Sequence, residues 1–157
     1  MSFSLLDDVL SRVPSSTLYH YTTQSGLLRI LHNKEIWATH TRYLNDSKEY
    51  RHAVDVITDI ILEREVAATG DSRRVLADMA EAVRQADSMN VCVCSFSEDR
   101  DSLSQWRAYC GSTSGFAIGF NPVHLAEVSK REGFYLAPCL YDGEQQFGLM
   151  NALVDSR

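Results

Sequence analysis

The stretch LYHYTTQSGLLRIL, residues 18–31, decides how this chain begins to fold. Its first five residues are aromatic or β-favouring, and this composition predicts a strand over 18–22. Thr23 or Ser25 then suits a helix N-cap, because a side-chain oxygen there can accept a free backbone N–H. The apolar residues that follow predict the buried face of a helix: Leu27, Leu28, Ile30 and Leu31.

Outward from this stretch, helical periodicity predicts more helices, and apolar or aromatic runs predict more strands. Helices are predicted in six segments. They lie within 3–13, from 46 or 47 to 68, between Gly70 and residue 86, over 102–109, directly after Asn121-Pro122, and from about Phe147 onwards. Strands are predicted over 35–39, 91–96, 115–120 and 134–141, and the 91–96 strand should be covered on both faces. The pattern predicts an α+β fold with a mixed, mostly antiparallel sheet flanked by helices. Residues 1–157 form a single domain, into which 46–88 inserts a helical hairpin.

Composition and charge exclude several classes of protein. The chain has 157 residues, 45% hydrophobic and 23% charged, as is typical of one globular domain. No apolar run approaches the ~20 residues that span a bilayer, and the start lacks the basic segment of a secretory signal. The net charge of -6 and the absence of a Lys/Arg run give nucleic acid no support as a partner. We therefore expect a cytoplasmic protein that acts on a small molecule and not at a membrane.

The four cysteines do not suggest a metal site or a disulfide framework. They are Cys92, Cys94, Cys110 and Cys139. No C-x-x-C pair is present, and the histidines show no ligand spacing with them. Cys92 and Cys94 alternate on one predicted strand, where disulfide geometry is rarely met. We expect buried, reduced cysteines and no bound metal.

His20 and Thr22 are the first candidates for a functional site. Side chains alternate along a strand, so these two face one side and Tyr19 and Tyr21 the other. Imidazole and hydroxyl groups can bind the vicinal hydroxyls of a ribose. The structural alternative is that His20 is a core histidine hydrogen-bonded to the backbone. Because so short a motif is weak evidence for a site, this alternative is favoured over the functional interpretation.

A second cluster is Trp106, Arg107 and Tyr109. An aromatic ring can stack on a base or a nicotinamide, and arginine can pair with a pyrophosphate. For Trp106 a place in the core is favoured, because tryptophan is bulky and mostly buried on average, so Tyr109 is the better candidate for a ligand contact. Arg42 and Asn45 follow the second predicted strand, where binding residues concentrate, although Asn45 also suits a turn.

Two blocks of this sequence resemble the bacterial domain-of-unknown-function 2971 family. The first joins LYHYT (18–22), GLL (26–28), IWA (36–38) and YLND (43–46), and the second joins CSFSE (94–98), QWRAY (105–109) and GFAIGF (115–120). The resemblance covers most of residues 17–141. Through its His-x-Thr strand and following helix, that family is distantly similar to ADP-ribosyltransferases.

The resemblance implies an NAD-binding cleft in a split, mostly antiparallel sheet. It implies catalytic roles for His20, which would contact a ribose, and Tyr109, which would stack on nicotinamide. NAD would be the cofactor, held by His20, Thr22, Arg42, Asn45, Trp106, Arg107 and Tyr109, and the acceptor is not implied.

In ADP-ribosyltransferases a glutamate orients the ribose, and this chain has no good counterpart of that residue. The amphipathic pattern from Phe147 continues to Arg157 without a terminating glycine, so we expect a chain cut before its fold is complete. A non-catalytic nucleotide- or protein-binding module is the alternative to a transferase. A purely structural role, with His20, Trp106 and Tyr109 in the core, is the third interpretation.

Overall fold

The computed structural model describes residues 5–43, 47–86, 90–111 and 114–155. It confirms an α+β fold, with seven α-helices and two small antiparallel sheets in those ranges. The helices are α1 (Leu5–Ser11), α2 (Gln24–Asn33), α3 (Ser47–Ala67), α4 (Asp71–Ala86), α5 (Leu103–Tyr109), α6 (Pro122–Glu132) and α7 (Gly143–Asp155). The strands are β1 (Leu18–Thr23), β2 (Thr39–His40), β3 (Cys92–Val93) and β4 (Gly115–Phe120), and Thr41–Tyr43 forms a 3-10 helix.

The chain folds as two compact units, and one of them is built on β1 and β4. This strand unit comprises Arg12–Thr39 and Cys92–Ala137. β1 and β4 pair antiparallel along their whole length, from Leu18 opposite Phe120 to Thr23 opposite Gly115. The backbone of Tyr19 exchanges two hydrogen bonds with Ser97, at 2.7 and 2.9 Å. Residue 97 therefore extends the strand pair on the other edge of β1.

The caps of α2 and α6 follow the sequence signals. The Thr23 hydroxyl accepts the backbone N–H of Gly26, and the Asn121 side chain accepts that of His124. Pro122 occupies the first turn of α6, where its missing N–H costs nothing. Both predicted helix starts are therefore confirmed.

The other unit is helical. It comprises Met1–Ser11, His40–Val91 and Pro138–Arg157. α3 and α4 pack against each other, and α7 packs on α3. Its most buried residues are Ile60, Ile61, Ala80 and Val154. Apolar residues at helical spacing on three helices thus make one continuous core, with the two predicted long helices at its centre.

Two predicted strands are wrong. Of residues 35–39, only Thr39 joins a strand, and 134–141 contains no strand. Trp37 is 69% exposed and Tyr135 81% exposed, so these rings do not pack on a sheet. The prediction that 91–96 is covered on both faces is also wrong, since only Cys92 and Val93 form β3 and both are exposed.

The predicted buried face of α2 is only partly correct. Leu28 is 59% and Leu31 64% exposed, whereas Leu27 and Ile30 are half-buried. α2 therefore covers the β1–β4 pair with a narrower apolar stripe than its sequence indicates. Among the described residues, no helix has both the length and the apolar character that crossing a bilayer requires.

Candidate functional site in the strand unit

Strand β1 carries α2 against one face and α5 against the other. Gly26 of α2 lies against the Thr22 side chain, so closely that a Cβ at position 26 would meet the Thr22 hydroxyl. On the other face, the Tyr21 ring meets Trp106 of α5 edge-on, with ring centroids 4.6 Å apart. Because strand side chains alternate, His20 and Thr22 share the α2 face, and Tyr19 and Tyr21 share the α5 face.

A concavity of about 450 Å³ lies on the α5 face, and we call it the Trp106 concavity. Its lining residues are Tyr19, Arg100, Asp101, Trp106, Gly115, Phe116 and Ala117. The volume falls within the range of roughly 300–1,000 Å³ in which proteins bind small molecules. Phe116 is paired with Thr22, so its side chain lies on the other face of the strand pair, and two aromatic side chains remain, those of Tyr19 and Trp106. Two aromatic rings beside one cation and one carboxylate can hold a flat ring together with a charged group.

The loop over residues 97–102 is fixed by hydrogen bonds to β1 and within itself. The Tyr21 hydroxyl donates to the Asp99 carbonyl at 2.7 Å and accepts the Ser102 N–H at 3.0 Å. Within the loop, the Ser97 hydroxyl accepts the Asp99 N–H, and the Asp99 carboxylate accepts the Asp101 N–H at 2.9 Å. The loop that carries the charged lining residues is therefore held in one conformation.

Trp106 is held from two sides. Its indole Nε1–H donates to the Asp101 carboxylate at 2.8 Å, and the Tyr21 ring packs against it. Gly115 allows this arrangement, since a Cβ there would collide with the Cys110 side chain and come within 3.1 Å of the Trp106 ring. The close approach of α5 to β4 thus depends on the missing side chain.

His20 lies on the face opposite the concavity. Its Nδ1 is 3.1 Å from the Ser95 carbonyl, and its ring centroid is 5.8 Å from that of Phe96. Since a carbonyl only accepts, Nδ1 carries the proton, and in the neutral ring Nε2 is an acceptor. The bond to backbone is the one that the structural interpretation of His20 predicts.

The other predicted site residues are scattered. Trp106 lines the concavity, whereas half-buried Tyr109 and exposed Arg107, also on α5, are not among its lining residues. Thr22 lies under α2, and Arg42 belongs to the 3-10 helix of the helical unit. Asn45 lies outside the described residues. The catalytic roles of His20 and Tyr109 stay a prediction, and the concavity joins neither to Trp106.

Sequence reasoning missed Tyr19, Arg100 and Asp101 as site residues. The polar and charged sequence of residues 97–101 by itself indicates only a loop. One available signal was the position of an arginine and an aspartate a few residues before Trp106, on the loop that leads into its helix. Tyr19 could have been found from the alternation of side chains along a strand, which places it on the same face of β1 as Tyr21.

The cysteines differ in environment. All four are free, but only Cys110 is buried, so the expectation of buried cysteines holds for one of them. Burial raises the pKa of the Cys94 thiol from 9.0 to about 11, which disfavours the reactive thiolate. Across the described ranges, no group of three or more His, Cys, Asp or Glu side chains is placed to hold a metal ion.

Comparison with known proteins gives one family. The model of the family described as "Protein of unknown function (DUF2971)" matches residues 105–157. This match supports the domain-of-unknown-function family. It includes most of α5 together with β4, α6 and α7, and with them Trp106 and the β4 residues that line the concavity. No curated protein and no solved structure matches the chain.

Proposed function

We propose that the strand unit binds a nucleotide in the Trp106 concavity, with NAD as the leading candidate. The proposal rests on the composition of the concavity, whose lining residues include the aromatic residues Tyr19 and Trp106 and the cation of Arg100. A base or nicotinamide ring stacks on an aromatic surface, and a guanidinium pairs with phosphate oxygens.

Arg100 takes the phosphate role that the sequence suggested for Arg107. It is exposed, and its guanidinium makes no hydrogen bond or ion pair with any described residue. A phosphate would therefore meet a cation that no residue of the described ranges already binds. Arg100 also belongs to the loop that Tyr21 and Asp99 fix in place, so little order would have to be gained on binding.

Within this proposal, binding without chemistry is favoured over transfer of ADP-ribose. The carboxylate among the lining residues is that of Asp101, and it already accepts the Trp106 N–H. The imidazole of His20 is on the other face of β1. The transferase remains the second candidate, because it is the activity that the family resemblance implies.

Tryptophan fluorescence tests the binding. The chain has two tryptophans, and replacing the exposed Trp37 by phenylalanine leaves Trp106 as the reporter. In this Trp37→Phe background, NAD should quench the emission saturably. Arg100→Ala should weaken binding by roughly tenfold or more, as expected when a charged hydrogen-bond partner is lost.

Arg29→Ala is the matched control. Arg29 is an exposed arginine on α2 and is not among the residues that line the concavity, so its removal changes the net charge equally and should leave the affinity unchanged. Chromatography of the NAD incubation separates the two candidates, since only a transferase or hydrolase releases nicotinamide. If NAD, ADP-ribose and ADP all fail to quench Trp106 saturably, the nucleotide proposal is wrong.

A further inference from the structure

Asp101 lies at the edge of the Trp106 ring, where the sugar of a nucleoside could lie if its base stacked on that ring. Its carboxylate oxygen Oδ1 is 2.8 Å from the indole Nε1 and accepts the indole N–H. The carboxylate therefore lies beside the edge of the tryptophan ring. A nucleoside sugar is one bond away from its base. A base stacked on the indole therefore carries its ribose out over an edge of that ring, and Asp101 occupies one such edge.

The second oxygen of this carboxylate is available to a ligand. Asp101 is exposed, and Oδ2 receives no hydrogen bond from any residue that the structure describes. The backbone N–H of Asp101 donates to the Asp99 carboxylate, which holds the backbone, and the bond from the Trp106 indole orients the Asp101 carboxylate. A carboxylate oxygen accepts hydrogen bonds from hydroxyl groups and repels phosphate groups.

The concavity contains one side chain suited to each part of a nucleotide. Trp106 supplies a surface for the base, Asp101 an acceptor for the sugar, and Arg100 a cation for the phosphate. Arg100 and Asp101 are adjacent in sequence, and the sugar and phosphate are adjacent in the ligand. This correspondence uses the side chains that line the concavity and involves no residue of the helical unit.

We infer that Asp101 determines specificity for a ribose with free 2′ and 3′ hydroxyls, so that the concavity selects ribonucleotides over their 2′-deoxy and 2′-phospho forms. The inference rests on the proposed nucleotide site. The free oxygen Oδ2 of the Asp101 carboxylate accepts hydrogen bonds from the ribose hydroxyls, loses one such bond with a deoxyribose, and repels a phosphate at the 2′ position.

Mononucleotides give the sharpest test, because they contain one base and one sugar. Dissociation constants for ADP, 2′-deoxy-ADP and adenosine 2′,5′-bisphosphate are measured by Trp106 quenching in the Trp37→Phe background. A charged hydrogen bond lost to the missing hydroxyl should weaken 2′-deoxy-ADP relative to ADP by roughly tenfold or more. The 2′-phosphate should weaken binding further.

Asp101→Asn is the informative variant. The amide oxygen still accepts the Trp106 N–H, so the indole stays in place, but the charge is gone. The ratio between 2′-deoxy-ADP and ADP should fall towards one, and adenosine 2′,5′-bisphosphate should bind more tightly than to the wild type. Near-ultraviolet circular dichroism checks that Trp106 keeps its environment.

Glu98→Gln is the control for net charge. Glu98 belongs to the same loop, is exposed and accepts a hydrogen bond from Ser16, which the amide oxygen can also accept. It does not line the concavity, so this variant should keep the wild-type selectivity. If ADP and 2′-deoxy-ADP bind equally well to the wild type, or if Asp101→Asn leaves the ratio unchanged, the role of Asp101 is overturned while nucleotide binding stands. If no nucleotide binds, both proposals are overturned.

Discussion

The hydroxyl of Tyr21 joins strand β1 to a loop nearly eighty residues later in the chain. It is both donor and acceptor, to Asp99 and Ser102, and the residue is only 4% exposed. The same ring supports Trp106. One buried side chain therefore sets the position of the stacking surface and of the charged residues beside it.

Tyr21→Phe should destabilise the strand unit by about 1–3 kcal/mol, because two backbone groups lose their partner in a region that water reaches poorly. Urea unfolding followed by tryptophan fluorescence measures this. Tyr135→Phe is the matched control. Because that ring is 81% exposed, the loss of its hydroxyl should change the free energy of unfolding little. Equal effects of the two substitutions would contradict the bridging role.

Cys94 makes the stability of the strand unit depend on pH in the alkaline range. The pKa of its thiol is raised by burial to about 11, whereas the unfolded thiol ionises near its ordinary value of 9.0. Between these values the unfolded state binds fewer protons, so stability is fully present below the lower pKa and falls as pH rises through the window.

Wild type should therefore lose more stability than Cys94→Ala when the pH is raised from about 8 to about 10.5. The measurement is the urea midpoint at both pH values. Cys139→Ala removes an exposed thiol and should keep the wild-type slope. Parallel behaviour of wild type and Cys94→Ala would show that the thiol is not buried as described.

At the scale of elements, helices α2 and α6 end in the same left-handed conformation with different residues. Lys34 has φ of 58° and Gly133 has φ of 75°. Each cap donates its N–H to a carbonyl four residues earlier, Ile30 and Ser129 respectively. Glycine adopts this region without a steric penalty, and lysine does not.

Lys34→Gly should stabilise the strand unit by up to about 1 kcal/mol, and Gly133→Ala should destabilise it by about 1 kcal/mol. Both residues belong to the strand unit, which contains both tryptophans, so fluorescence-detected urea unfolding reports both changes. The decisive result is that the two substitutions change the free energy of unfolding in opposite directions. Shifts in the same direction would mean that the cap conformations do not control stability.

The sequence predicted the helices better than the strands, for a physical reason. Periodicity and caps are local, and they located α2 through Thr23 and α6 through Asn121-Pro122. A strand also needs a partner, which no local pattern shows. The aromatic runs around Trp37 and Tyr135 have β-favouring composition, but beyond Thr39 they form no strand within the described ranges, whereas β1 and β4 pair with each other.

The candidate site was predictable only in part, for a related reason. Trp106 was among the predicted cofactor contacts, although a place in the core was favoured for it and Tyr109 was preferred for stacking. Arg100 and Asp101 were missed because their importance comes from contacts with Tyr21 and Trp106, which the fold creates. Strand alternation placed His20 and Thr22 on one face of β1, but it could not say which face carries the concavity.

At the scale of the whole molecule, each unit has its own buried residues. The helical core centres on Ile61, which is fully buried, and the strand unit buries Leu18, Tyr21 and Leu125. Both tryptophans lie in the strand unit, and the two longest helices lie in the helical unit. Fluorescence and far-ultraviolet circular dichroism therefore report largely on different units.

Ile61→Ala should cost about 2–5 kcal/mol in the helical unit, because it removes buried methylene groups from a packed core. We expect the far-ultraviolet transition to move to lower urea while the tryptophan transition moves much less. Ile61→Val should shift the first transition by only about 1 kcal/mol. Coincident movement of both signals would show that the two units unfold as one cooperative block.

The pairing of β1 with β4 has a consequence for synthesis on the ribosome. β1 is made early, but the residue opposite Leu18 is Phe120, so the strand leaves the ribosome long before its partner exists. The helices α3 and α4 are made in the interval and can close on each other by local contacts. During that interval, β1 offers unpaired backbone groups and aromatic side chains to other nascent chains, which makes it the segment that a chaperone would most usefully cover.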